Sequence, residues 1–144
     1  MTSIALDIAN AVADLLSAAT FEMEFEAEAA AVPRWELKDL KVLRVTCVPV
    51  SVSLTNATRG STQYAARIDI GVQKRLGSAV EADVAGLCAL TEEIARYIRN
   101  RPLPGVTGVN WAESLIDPLF SLAHLDEHRT FTSVISVTYK GILA

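Results

Sequence analysis

The chain is sparing with the residues that most chemistry needs. It has two cysteines, Cys47 and Cys88, set far apart and outside any metal or redox spacing, which excludes a zinc ribbon, a CxxC redox centre and a disulfide framework. Both read as reduced thiols in a core. It has two histidines, His124 and His128, four apart with Asp126 and Glu127 between them. On a helix they would share a face, but a divalent metal site needs a third ligand, and the segment reads as a loop with solvated imidazoles. No Gly-x-Ser-x-Gly elbow and no glycine-rich strand-to-helix turn is present, so serine hydrolysis and phosphate cradling have no motif to stand on. No catalytic, metal or cofactor-binding residue is expected, and no cofactor.

Charge is scarce too. Charged residues make up 21%, below the usual quarter, and 13 Lys and Arg against 17 Asp and Glu leave a formal net charge of −4. Arg34, Arg44, Arg59, Arg67, Lys74 and Arg75 are scattered, which argues against a protein built to grip phosphates. No apolar run approaches the ~18 residues of a membrane span, and the start of the chain lacks a secretory pattern. The expectation is a soluble protein made in the cytoplasm, with no membrane partner.

What is plentiful is apolar surface. With glycine counted and tyrosine left out, apolar residues reach about 54%, above the usual ~45–50%. A chain of 144 residues fits one domain, residues 1–144, with a core that needs no staples. A small domain this apolar has more greasy surface than it can hide, so neighbouring subunits are expected to cover part of it.

The pattern along the chain predicts an α+β fold: an antiparallel or mixed sheet of about four to five strands against two main helices, in the order α-β-β-β-α-β-β. Ser3 caps a helix to about Ala18, with Ile4, Ile8, Val12, Leu15 and Leu16 on one stripe. Residues 21–28 alternate strictly and predict a first strand with Glu22, Glu24, Glu26 and Glu28 on one face. A second strand over 41–54 changes phase: Leu43, Val45 and Cys47 share one face, Val48, Val50, Val52 and Leu54 the other. Pro49 sits at the slip, as in a bulge or an edge strand.

Residues 55–61 read as a polar hairpin loop with Gly60 free for positive φ. The third strand places Tyr64, Ala66, Ile68, Ile70 and Val72 inward and Gln63, Arg67, Asp69 and Gln73 outward. Ser78 and Glu81 form a capping box for a long helix ending near Asn100, before Pro102 and Pro104. A weaker strand over 110–117, an irregular stretch over 118–129 and a strong last strand with Phe131, Ser133, Ile135, Val137 and Tyr139 on one face complete the chain.

Several of these segments carry a resemblance. The N-terminal helix, the 42–52 strand with its Val48-Pro49 element, the 64–75 strand reading YAARIDIGVQKR, the Glu92-Glu93-Ile94 helix and the closing FTSVISVTYKG are similar to the tail terminator proteins of long-tailed bacteriophages and related prophages. That resemblance spans nearly the whole chain in pattern and element order. It implies a structural virion protein of the tail and neck. Such a protein forms a ring, usually a hexamer, that caps the tail tube protein and joins it to a head-completion or connector protein, leaving a channel that DNA crosses without specific binding.

On this view the row Glu22, Glu24, Glu26 and Glu28 is a candidate lining for that channel, where repeated carboxylates would repel the passing genome. Asn56, Thr58 and Arg59 on the hairpin, with Trp35 and Trp111, are candidate contacts to neighbouring subunits or the tube. Alternatives remain open: another neck component, such as a head-closure or tail-completion protein, or a small α+β ligand-binding module or enzyme.

Overall fold

In the computed structural model, which describes residues 3–25, 27–30, 42–77 and 80–143, one mixed sheet of five strands carries two long helices on one face. In chain order the elements are α1 (Ile4–Ala18), β1 (Ala27–Ala29), β2 (Arg44–Thr58), β3 (Ser61–Arg75), α2 (Val80–Ile98), β4 (Asn110–Ile116), α3 (Leu122–His128) and β5 (Thr130–Leu143). The sheet order is β1-β2-β3-β5-β4; β1 runs parallel to β2 and every other pair is antiparallel. This is the expected α+β class with the expected element order, plus one short helix.

α1 begins where Ser3 Oγ accepts a hydrogen bond from the Leu6 amide, at 3.3 Å, and Asp7 sits in its positive first turn. Its stripe Ile8, Val12 and Leu16 is fully buried against the β1, β2 and β3 side of the sheet. α2 covers β5 and β4 with Leu87, Leu90, Ile94 and Ile98. Thr91 is buried on the same stripe because its hydroxyl donates to the Leu87 carbonyl at 2.8 Å, which satisfies the polar group inside its own helix. Ser78, expected to cap α2, lies outside the described residues.

Strands β3 and β5 form the centre. Alternation puts Tyr64, Ala66, Ile68, Ile70 and Val72 opposite Gly141, Tyr139, Val137, Ile135 and Ser133, all buried under the helices. Each fully buried aliphatic side chain here contributes about 1.5–3 kcal/mol over its exposed state.

Three expectations are corrected. The first strand is shorter and later than 21–28: only Ala27, Glu28 and Ala29 pair with β2, and residues 21–25 stay outside the ladder. The alternation there comes from packing, because Phe21, Met23 and Phe25 turn toward the core while Glu22 and Glu24 point to solvent. The stretch 118–129 is not wholly irregular. It holds α3, capped by Ser121 Oγ on the His124 amide and stopped by Arg129 at φ 49°. Gln73, expected to face water, is buried on the sheet's second face, where its amide donates to Thr132 Oγ1 at 3.3 Å; that hydroxyl also meets His124 Nδ1 at 2.7 Å. α3 thus shields a patch of the second face.

Candidate assembly interface

The phase slip in β2 is a bulge. Pro49 pairs with Ile68 and Ser51 with Arg67, leaving Val50 as an extra residue. Its effect on side-chain direction overturns the simple alternation. Cys47 pairs with Ile70, Val52 with Ala66 and Leu54 with Tyr64, so Val52 and Leu54 share the helix-covered face with Cys47 instead of opposing it, while Val48, opposite Asp69, points to the second face.

The helices do not reach that far. β2 is buried only through Cys47, and residues 51–58 are all exposed. The hairpin expected as a loop over 55–61 is a continued two-stranded arm whose turn is only Arg59 and Gly60, with Gly60 at φ 86° and Thr58 Oγ1 against Ser61 Oγ. Val50, Val52 and Leu54 are exposed at 49%, 42% and 61%, and Ile142 at the neighbouring end of β5 at 65%. Tyr64 is the last aromatic held down: it lies across Gly141, where any added Cβ would strike its ring.

The predicted site residues do not converge on one spot. Asn56, Thr58 and Arg59 sit exposed at the arm's tip. Trp111 lies on β4, beyond β3 and β5, half-buried against the core, with its indole donating to Ser114 Oγ at 2.8 Å. Glu22 and Glu24, ahead of β1, and Glu28, within it, are exposed. Glu26 and Trp35 fall outside the described residues.

The acidic segment is firmly anchored from its apolar side. The rings of Phe21 and Phe25 stack 5.3 Å apart, Phe21 meets Tyr97 of α2 edge-on at 5.2 Å, and Met23 packs on Gly86. Ser17 Oγ ties β1 to α1, donating to the Ala27 carbonyl and accepting from its amide. Arg44 meets Glu28 at 3.5 Å, an exposed pair of little energetic weight.

Burial governs the titrating groups. It pushes the Cys47 thiol up to about 12 and raises the Tyr139 phenol, the latter helped by the nearby Cys47. Tyr64 is raised by burial, and Cys88 by burial and then by Glu92. Raised in this way, all four groups stay protonated at neutral pH; Cys47 is buried as expected, whereas Cys88, expected in the core, is only half-buried. Among the described residues, no three of His, Cys, Asp and Glu come together as a metal site would require.

Sequence reasoning missed the apolar residues of the arm as a surface. The signal was present: an apolar run continuing past a proline-marked slip, with no charge before Arg59.

No protein-family model and no curated protein matches the chain. Among solved structures it is similar to a chain of the virion of a native gene transfer agent particle, 12% identical, with 91% of this chain and 83% of that one covered and a TM-score of 0.44.

Proposed function

We propose that this protein is a tail terminator: a structural, non-enzymatic virion component that forms a ring, stops growth of the tail tube and presents a docking face to a head-completion or connector protein. The observation that carries the reading is the arm. A two-stranded projection without helical cover exposes Val50, Val52 and Leu54, and a lone molecule gains nothing from leaving them wet. Surface of this kind fits a molecule finished by its neighbours, and it joins the resemblance in element order and the apolar surplus of the composition.

The ring reading gives the anchored acidic segment a use. Repeated around an axis, Glu22, Glu24 and Glu28 would line an opening with negative charge and let DNA slide through unheld. Their replacement by glutamine should leave assembly intact and slow genome passage; unchanged passage would remove this role.

The test of the main reading is assembly followed by capping. Native mass spectrometry and negative-stain microscopy should show closed rings near six subunits. Adding the protein to polymerising tail tube protein should arrest tubes at shorter lengths, with rings at their ends. A monomer at every concentration, or tubes that grow unhindered, defeats the proposal. Rings that bind only a head connector reassign it to another neck component.

A further inference from the structure

Taking the ring-forming reading as its premise, we infer that the copies join sheet edge to sheet edge: residues 51–58 of β2 pair antiparallel with β4 of the next copy, so that the sheet continues from subunit to subunit.

Among the described residues both edges are open. On the outer side of β2, β1 pairs only with residues 45–47, and the Ala30 amide donates to the Cys47 carbonyl; among the described residues nothing pairs farther along. β4 is bonded to β5 on one side, and no described strand lies on the other. The Pro49 and Val50 bulge interrupts the β2 edge, so free pairing starts at Ser51 and runs regularly to Asn56, before a second irregularity at Ala57, against the seven residues of β4, which is itself irregular at Ala112.

Strand direction decides the geometry. β2 is antiparallel to β3, β3 to β5 and β5 to β4, so β2 and β4 point in opposite directions within one sheet. A copy related by rotation about an axis inclined to the strands brings its β2 antiparallel to this copy's β4, and the inclination supplies the offset along the strand, since β4 lies level with residues 47–53 of its own β2. Side chains agree as well: Val52 and Leu54 face the helix side, and so do Trp111 and Ile116, which pair with Tyr139 and Ile135. The joint would carry the apolar layer across.

Charge selects the partner. Exposed edges are normally guarded by charged side chains, yet residues 50–66 carry a single one, Arg59, and β4 a single one of opposite sign, Glu113. The two edges carry opposite charges and do not repel each other. The contact is heterologous, so it closes into a ring when the rotation allows.

Complementation tests it. Val52→Lys with Leu54→Lys loads the exposed arm, and Ala112→Pro alters β4 at the residue that has no pairing partner on β5. Each variant alone should run as a monomer with an unchanged circular dichroism spectrum, its self-affinity reduced about a hundredfold or more. An equimolar mixture, with one intact edge from each, should form heterodimers and stop there. In the wild-type protein, amide exchange at 51–58 and 110–116 should slow together, about tenfold or more, on assembly; this holds even if the proline variant fails to fold.

Rings that survive the arm substitutions, or arm amides that stay unprotected in rings, overturn edge pairing and leave the ring reading standing. Intact rings that lose only tube binding give the arm to the tube and also overturn it. A wild-type monomer overturns both.

Discussion

Tyr139→Phe should make the protein more stable. Tyr139 is fully buried in the centre of β5, opposite Ala66 and beside Cys47, and its hydroxyl has no hydrogen-bond partner among the described residues. A phenolic hydroxyl leaves water at a cost that a partner normally offsets; unpaired, the cost stands at about 1–3 kcal/mol. Phenylalanine keeps the ring in the same slot, removes one atom and opens too little space for a large cavity term.

The expected gain is about 1–2 kcal/mol, which for a chain of this size is a rise in Tm of roughly 3–8 °C. Urea unfolding followed by circular dichroism measures it, with the slope unchanged so that the midpoint shift reads as stability. A Tyr139→Phe protein equal to or less stable than the parent refutes the reasoning, since the hydroxyl would then be hydrogen-bonded within the fold.

Alkali should weaken the fold through Cys47. Its folded thiol titrates at about 12 against an ordinary value near 9, so between those values the unfolded chain gives up a proton that the native chain keeps, and stability falls by about 1.4 kcal/mol per pH unit. Cys47→Ala, though less stable at pH 7, should show a flatter decline from pH 9 to 11 in a denaturant series. Gly141→Ala should cost about 2–3 kcal/mol, because the new methyl would lie 2.7 Å from Tyr64 Cε1 and force the ring outward. In a Tyr64→Ala background the same change should cost far less, a non-additivity that a double-mutant cycle detects. Ser3→Ala, which removes the cap of α1, should cost about 1 kcal/mol in thermal unfolding.

Most of the architecture is legible in the amino-acid sequence. Strict period-two runs at 64–72 and 131–139 became the two central strands, and the stripes of α1 and α2 became their buried faces. What escaped shares one cause: local pattern reports which side of a residue is apolar, not what lies against it. Phe21, Met23 and Phe25 alternate like a strand but pack on the helical layer without a ladder. α3 is seven residues, too short for a helical period to show. The arm was legible as strand only to Leu54, with its outer part read as a loop, and its exposure depends on where α1 and α2 end, which no local spacing states.

Of the site, Asn56, Thr58, Arg59, Glu22, Glu24 and Glu28 are exposed, and local pattern says nothing of what would cover them. Trp111 proved to be half a core residue, which fits an anchor only at the rim of a joint.

The bulge at Val50 has one more consequence. Because that residue is surplus to the ladder, a chain lacking it would keep Val52 and Leu54 on their present side while losing the local kink and extra twist that a bulge imposes. Angle of projection is therefore set at Val50 and most of the adhesive chemistry at Val52 and Leu54, so a lineage could retune the aim of the projection by a single-codon deletion at the loss of one apolar side chain of the three.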